Sequence, residues 1–179
     1  MKIQIDDKTF EPFIPEAKIL ERVAEVANQI TEDYRDRKPL IIGVLSGSFL
    51  FLADLVKQIT PPTEISFVKI ASYDGERSTG KLKVQLGLYS DLTDRHVIVV
   101  EDIVDTGHTL QFLLEMIYAE KPASVQVCSL LYKPAACGLS FKELSYIGFE
   151  IPSEFVLGYG LDYKGRGRNL RDIYRLAPN

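Results

Sequence analysis

The sequence has few of the residues that build metal centres or disulfide frameworks. Its 179 residues include two cysteines and two histidines, and their spacing matches no metal-binding motif. Cys128 lies in an apolar, strand-like run and Cys137 follows a Pro-Ala-Ala stretch, so we expect buried thiols rather than a disulfide bridge. The chain therefore gives no sequence sign of a cysteine–histidine metal site.

Long apolar runs and an excess of positive charge are also missing. No stretch approaches the length of a membrane span, and residues 1–7 lack the apolar segment of an export signal, so we expect a cytoplasmic protein that does not bind membranes. Lys and Arg total 21 against 25 Asp and Glu, which disfavours general affinity for nucleic acids. A composition of 46% hydrophobic and 26% charged residues is typical of one globular domain with a real core.

Strand-like and helical segments alternate along the chain, without repeats or linkers. The predicted strands are residues 40–45, 65–70, 97–100 and 125–131, and the predicted helices are residues 15–33, 49–59 and 110–117. This alternation predicts an α/β fold in which helices flank a central, mostly parallel sheet. Ligands of such sheets bind beyond the carboxyl ends of the strands, where Ser46, Glu101, Asp105 and Lys133 are expected to lie.

The most informative segment is residues 97–109, VIVVEDIVDTGHT. Four β-branched residues predict a strand buried on both faces, which ends in two acids, Glu101 and Asp102. The loop from Asp105 to Thr109 then lies where a helix begins, so its Asp and Thr side chains can cap that helix, and Gly107 lets the backbone approach a ligand. Exposed amides at the positive end of the helix dipole favour an anion, and phosphate is the expected ligand.

This segment resembles the signature with which purine phosphoribosyltransferases bind 5-phosphoribosyl-1-pyrophosphate: two acids, two aliphatic residues, Asp-Thr-Gly and a hydroxyl residue. The resemblance implies ribose and phosphate contacts from Glu101, Asp102, Asp105, Thr106, Gly107, His108 and Thr109. Carboxylates accept hydrogen bonds from sugar hydroxyls, whereas amides at a helix start suit phosphate. His108 replaces the lysine of many relatives, but the contact there is largely through the backbone. The alternative is a capped strand–helix turn with solvated acids.

Other parts of the resemblance concern the pyrophosphate and the lid. Ser46 and Gly47 match the pyrophosphate-binding loop; many relatives have Lys or Arg at the first position, so we expect a backbone contact here. Arg168 matches an arginine that binds pyrophosphate. Ser72 and Tyr73 match the Ser-Tyr pair of a lid that closes over the reaction centre and excludes water. Taken alone, residues 46–48 are more often a plain turn and residues 72–80 an exposed hairpin loop, and the tract around Arg168 is compatible with a solvated turn.

The resemblance also implies a purine site and a metal site. Lys133 matches a lysine that contacts the exocyclic oxygen of the purine, and Phe155 a residue that stacks on the base. Val156 matches a residue whose backbone reads the base edge, and Asp162 one near the base and the metal. A solvated lysine and a core phenylalanine are the plain alternatives. The implied magnesium ligands are Glu101, Asp102 and Asp162.

The resemblance covers roughly residues 40–168 and implies the type I phosphoribosyltransferase fold. We expect a single domain, 1–179, with a core of about 36–150 and a small hood formed by the N-terminal segment and residues 151–179. The implied activity is purine salvage, the Mg2+-dependent transfer of a phosphoribosyl group to hypoxanthine, and also guanine, with release of pyrophosphate. Asp105 would act as general acid/base at the purine N7. Relatives of this kind imply a homodimer or homotetramer.

Several alternatives remain open. A regulator with the same fold would sense phosphoribosyl pyrophosphate and bind nucleic acid, but it should carry a broad basic face. A sister enzyme would prefer xanthine, guanine or a pyrimidine; Lys133 favours a 6-oxopurine without ranking hypoxanthine, guanine and xanthine. Residues 75–81 begin like a P-loop, but Leu82 stands where Ser or Thr must meet magnesium. An aspartate-nucleophile phosphatase needs acids separated by one residue, whereas two residues separate Asp102 and Asp105.

Overall fold

Helices and strands alternate along most of the chain in the computed structural model, which describes residues 1–72, 82–88 and 91–178. The elements in chain order are β1 (Ile3–Ile5), β2 (Lys8–Ile14), α1 (Glu16–Asp33), β3 (Leu40–Leu45), α2 (Phe49–Val56), β4 (Glu64–Ser72), β5 (Leu82–Leu86), β6 (His96–Val104), α3 (His108–Ala119), β7 (Ser124–Tyr132), β8 (Leu144–Glu150), β9 (Val156–Leu157) and β10 (Ile173–Leu176). None of the described helices combines the length and the hydropathy of a membrane span.

The larger sheet has six strands in the order β5-β4-β3-β6-β7-β8. Its neighbouring strands are parallel except for β4 and β5, which are antiparallel. The predicted α/β fold with a mostly parallel sheet is thereby confirmed. Strand β6 is longer than predicted: it continues through the acids to Val104, because Glu101 pairs with Ser129 and Ile103 with Leu131 of β7. The two acids are therefore part of the strand and are held rigidly by its ladder.

Helices cover both faces of this sheet. Alternate strand residues such as Ile41 and Ile98 pack against α1 and α2, whereas Ile42 and Val99 pack against α3 on the opposite face. This two-sided burial explains why the strands read as continuous apolar runs. Helix α2 ends at Val56 rather than at residue 59, because the chain closes a three-residue turn, Gln58 N–H to the Leu55 carbonyl, before Pro61 and Pro62.

The terminal segments form a second, antiparallel sheet of four strands in the order β1-β2-β10-β9. It joins the N-terminal hairpin to the last strands of the chain, as the resemblance implies for the hood. The same terminal segment supports α1, whose N-cap is Pro15: the Asp172 Oδ1 accepts a hydrogen bond from the Glu16 amide at 2.8 Å. Among the described residues, Cys128 is buried, Cys137 is partly buried, and both are free thiols.

Candidate active site

A cleft of about 310 Å³ opens at the carboxyl ends of β3 and β6. This position is the one expected for a ligand site in a parallel sheet. The residues that line it are Val44, Leu45, Ser46, Gly47, Ile70, Glu101, Asp102, Ile103, Val104, Asp105, Thr106, Gly107, Thr109, Leu110, Asp162 and Arg168. The structure therefore brings together the predicted ribose, phosphate and pyrophosphate residues, with the exception of His108, which is the exposed first residue of α3.

Glu101 and Asp102 differ in environment although they are neighbours. Glu101 is 5% exposed, and its burial together with the adjacent Asp102 raises the pKa of its carboxyl well above the ordinary value. Burial also raises the pKa of Asp102, to about 6, even though its Oδ1 accepts a hydrogen bond from the Ile103 amide at 2.9 Å. Asp102 is therefore mainly ionised near neutral pH and accepts hydrogen bonds from a polyhydroxyl ligand, whereas the environment of Glu101 favours its protonated form more strongly.

The loop after β3 lies directly against Asp102. The Leu45–Ser46 peptide bond is cis, and the Phe49 amide donates to the Ser46 carbonyl at 3.4 Å as α2 begins. A Cβ atom on Gly47 would lie 1.5 Å from Asp102 Oδ2, so a side chain at this position would displace the carboxylate from the loop. Gly160 closes on the same loop from the opposite side, because its own Cβ would lie 2.0 Å from the Gly47 carbonyl oxygen. Backbone rather than side chain thus forms this wall of the cleft.

The loop from Asp105 to Thr109 has a different cap from the one expected. Gly107 is the N-cap of α3, with φ of 87°, and within the described residues no side chain caps this helix. The prediction that Asp and Thr side chains cap it is therefore wrong, because a left-handed glycine turns the chain and leaves the first amides of the helix open. The missing side chain of Gly107 also serves packing, because an added Cβ would meet the Phe141 ring at 2.8 Å and Cys137 Sγ at 3.1 Å, while Gly107 itself lines the cleft.

Asp105 and Lys133 form an ion pair at the edge of the cleft. Lys133 Nζ lies 2.7 Å from Asp105 Oδ2; the lysine side chain is 8% exposed and the aspartate 47% exposed. The strands place them, because the Lys133 amide donates to the Val104 carbonyl at 3.0 Å, one residue before Asp105. Lys133 does not itself line the cleft but reaches it through this carboxylate. Two residues with separately predicted roles are in fact coupled.

Asp162 and Arg168 close the cleft from the C-terminal segment. Arg168 Nη2 lies 2.5 Å from Asp162 Oδ1, and Arg168 Nη1 donates to the Gly160 carbonyl at 2.6 Å. The Gly165 amide donates to the other oxygen of Asp162 at 2.7 Å. Across the described part of the chain, no three acidic, histidine or cysteine side chains converge closely enough to hold a metal ion. Glu101, Asp102 and Asp162 thus line one cleft without forming a complete ligand set.

Val156 begins β9 of the terminal sheet and Phe155 directly precedes it, and neither residue lines the cleft. Phe155 is 40% exposed, with its ring centroid 5.6 Å from that of Tyr163 and 6.2 Å from that of Phe10. Val156 is buried and pairs with Arg175 of β10. Of the predicted lid pair, Ser72 is the last residue of β4, but its side chain and all of Tyr73 lie outside the described residues.

Sequence reasoning missed the apolar lining of the cleft. Val44, Leu45, Ile70, Ile103, Val104 and Leu110 all contribute to it. Most of them stand next to a predicted polar residue or near a strand end, and that adjacency is the one signal the sequence offered. Aliphatic side chains at these positions exclude water from the polar groups and strengthen their electrostatic interactions.

Comparison with known proteins assigns the chain to a family. Residues 15–164 match the model of the phosphoribosyl transferase domain. A hypoxanthine phosphoribosyltransferase of Salmonella typhimurium is 41% identical over 165 residues, covering 90% of this chain and 92% of that protein. A crystal structure of a hypoxanthine-guanine phosphoribosyltransferase from Bacillus anthracis superposes with a TM-score of 0.87 at 38% identity, covering 93% of this chain and 98% of that one.

Another similar protein is much longer. The bifunctional protein TilS/HprT of Listeria innocua is 40% identical over 166 residues, which are 92% of this chain and 26% of that protein, so this chain spans about a quarter of its length. With the cleft, the sheet order and these similarities together, the chain belongs to the phosphoribosyl transferase family.

Proposed function

We propose that the protein salvages purines by transferring the phosphoribosyl group of phosphoribosyl pyrophosphate to hypoxanthine, and also to guanine, giving IMP or GMP and pyrophosphate. The observation that carries the proposal is that Asp102, the loop after Asp105 and Arg168 line one and the same cleft. Acceptors for ribose hydroxyls, donors for a phosphate and a guanidinium for a diphosphate are the groups this substrate needs. The names of the similar proteins agree with the activity.

Each part of the sugar substrate has a matching group. The open amides from Thr106 to Thr109 hold the 5-phosphate at the positive end of α3. Asp102 accepts hydrogen bonds from the ribose hydroxyls, and Glu101 lies behind it. Ser46 and Gly47 present backbone groups to the pyrophosphate, and Arg168 exchanges part of its contact with Asp162 for the leaving group. As the glycosidic bond breaks, positive charge grows on the ribose and negative charge on the pyrophosphate, so these fixed charges stabilise the transition state.

The Asp105–Lys133 pair serves the base. A purine nitrogen attacks the anomeric carbon, and the proton on N7 passes to the Asp105 carboxylate, which is 47% exposed and therefore reachable. Lys133 donates to the 6-oxo group of the purine and keeps the aspartate in place. Because an ammonium has donors only, a 6-amino purine finds no acceptor there and binds less well. Phe155 supplies the stacking surface and Val156 the backbone that reads the base edge.

The donor chemistry of the cleft fits magnesium. Asp102 and Asp162 supply hard carboxylate oxygens, and the remaining ligands would come from substrate oxygens and water, as this ion prefers. Bound Mg2+ would neutralise charge on the departing pyrophosphate. Asp162 is held ready by the Gly165 amide and Arg168, while the buried Glu101 contributes mainly as a hydrogen-bonding neighbour of Asp102. We further propose that the protein assembles as a homodimer or homotetramer, which light scattering will measure.

Nucleotide formation tests the proposal. The protein is incubated with phosphoribosyl pyrophosphate, Mg2+ and hypoxanthine, guanine or xanthine in turn, and the expected products are IMP and GMP. Asp105→Asn should lower kcat about 100-fold to 10,000-fold, the usual contribution of a general acid/base. Asp36→Asn, at an exposed position after α1, is the matched control and should retain full activity. Absence of nucleotide with every base, or full turnover by Asp105→Asn, contradicts the proposal.

A further inference from the structure

We propose that the turn of the N-terminal hairpin, Asp6 to Lys8, is a positioning element of the purine site. Its three consecutive side chains all bind residues of the segment between Phe155 and Arg168, from the opposite end of the chain. The inference rests on the proposed function, in which this segment carries the stacking residue and the groups that meet the pyrophosphate. Asp6, Asp7 and Lys8 themselves touch no part of the cleft.

The two aspartates hold the turn that follows Asp162. Lys164 Nζ donates to Asp7 Oδ1 at 2.8 Å, and the Tyr163 hydroxyl donates to the same oxygen at 3.0 Å. Arg166 forms an ion pair with Asp6. The hydrogen bond from Lys164 lowers the pKa of the Asp7 carboxyl to about 2, so this side of the contact stays charged throughout the physiological range.

Lys8 holds the aromatic rings. Its ammonium lies 4.7 Å from the centroid of the Tyr163 ring and 5.3 Å from that of Phe155. The two rings meet edge to face at an interplanar angle of 82°. One cation thus spans both rings, and the fully buried Phe10, two residues along the same strand, packs against each of them. Phe155 is 40% exposed, so these contacts define the orientation of its ring.

The turn transmits this support to the cleft. Tyr163 and Arg166 close the turn with two backbone hydrogen bonds, of 2.9 and 3.0 Å, so it moves as one unit. The turn presents the Gly165 amide to Asp162. Displacement of the hairpin therefore loosens the Phe155 ring and the Asp162 carboxylate together. Asp105 and Lys133 directly follow strands β6 and β7 of the central sheet and pair with each other, so they stay in place.

The expected effect is moderate because each contact is solvent-exposed. Exposed ion pairs and cation–π contacts are individually weak, and the three contacts of Asp7 and Lys8 with Lys164, Tyr163 and Phe155 together correspond to a change of about threefold to tenfold in affinity. Since Asp105 and Lys133 are unaffected, this change should appear in the KM for the base, with kcat within about twofold of the wild type.

The test compares the Asp7→Asn/Lys8→Met variant with the wild-type protein. The KM for hypoxanthine should rise about threefold to tenfold, and the difference should shrink in 1 M KCl, which screens the wild-type contacts. The single variant Lys8→Arg keeps a cation over the rings, and its KM for hypoxanthine should match that of the wild type. Glu64→Gln is the matched control. It breaks an equally short ion pair, the 2.8 Å contact of Glu64 with Arg95 at the start of β4, and the KM for hypoxanthine should not change.

Hydrogen exchange separates this inference from the proposed function. Amides of residues 158–168 should exchange faster in Asp7→Asn/Lys8→Met and at the wild-type rate in Glu64→Gln, whether or not hypoxanthine is the substrate. If the wild type forms no nucleotide, the proposed function fails and the exchange result alone decides the inference. Three results for Asp7→Asn/Lys8→Met would overturn the inference: unchanged exchange of the amides of residues 158–168, an unchanged KM for hypoxanthine in an active enzyme, or a decrease in kcat alone. Both substitutions are at exposed or partly exposed positions, and the single variants give the same comparison should the double variant unfold.

Discussion

Replacing Gly47 with alanine tests the architecture of the cleft most directly. The new methyl group would lie 1.5 Å from Asp102 Oδ2 and 2.4 Å from its Cγ, far inside van der Waals contact. The loop backbone cannot retreat, because the Gly47 carbonyl already meets Gly160. The carboxylate of Asp102 must therefore rotate away and give up its hydrogen bond from the Ile103 amide.

The cost to stability should be small and the cost to activity large. A displaced rotamer costs about 0.5–1.5 kcal/mol and a lost hydrogen bond about 1 kcal/mol, so the free energy of unfolding should fall by about 1.5–2.5 kcal/mol. For a chain of this size, the Tm should then fall by about 2–4 °C per kcal/mol. Misplacing a binding group by about 1 Å can reduce catalysis about 100-fold, and we expect at least that loss in kcat/KM for phosphoribosyl pyrophosphate.

Thermal unfolding and steady-state kinetics of the same preparations measure the two costs. Gly138→Ala is the control, because a methyl group there would meet no atom of the described residues within 4 Å, so both stability and activity should match or exceed those of the wild type. The reasoning is refuted if Gly47→Ala keeps wild-type kcat/KM, or if its activity falls only in proportion to the fraction unfolded.

Three further predictions concern stability. Gly107→Ala forces alanine into φ of 87° and places its methyl group 2.8 Å from the Phe141 ring. The free energy of unfolding, measured by urea titration, should therefore fall by about 2–4 kcal/mol. An unchanged urea midpoint would show that the loop relaxes freely. Asp172→Ala removes the acceptor at the start of α1 and should cost about 1 kcal/mol in the same titration, while Asp172→Asn retains most of it. Burial and a hydrogen bond to Glu143 raise the pKa of Tyr118 to about 12 in the folded state. The folded protein thus favours the neutral phenol, so the contribution of Tyr118 to the free energy of unfolding is complete below pH 10 and lost between pH 10 and 12. Over that interval the free energy of unfolding should decline less in Tyr118→Phe than in the wild type, and equal declines would contradict the assignment.

The sheet could be predicted from the sequence because each strand carries its own signal. A strand buried on both faces needs a nearly continuous apolar run, and residues 97–100 and most of residues 125–131 satisfy that need without reference to distant parts of the chain. Element ends were less accurate for a physical reason. Strand β6 continues through Glu101 and Asp102 because β7 supplies hydrogen-bond partners, and the pattern of a single strand does not include its neighbour's register.

The residues of the cleft also fall into those that the sequence predicted and those that depend on distant parts of the chain. Residues 101–109 are contiguous, so the motif itself predicted their proximity, and nearly all of them line the cleft in the structure. The Asp105–Lys133 ion pair, the contact of Gly47 with Asp102 and the hold of Asp6 and Asp7 on residues 163–166 join segments far apart in the chain. Contacts of this kind depend on the relative placement of whole elements, which local patterns do not encode.

At the cap of α3, one residue, Gly107, is required both by the sequence motif and by the packing of the fold, for different reasons. From the sequence, Gly107 suits a loop that lets a phosphate approach the backbone. In the structure, its missing side chain makes room for Phe141 and Cys137, and its positive φ turns the chain into the helix without a side-chain cap. A polar cap would have occupied one of the first amides of α3. Because packing rather than hydrogen bonding ends the loop, these amides stay available to an anion, and the fold's own requirement at Gly107 produces the binding site.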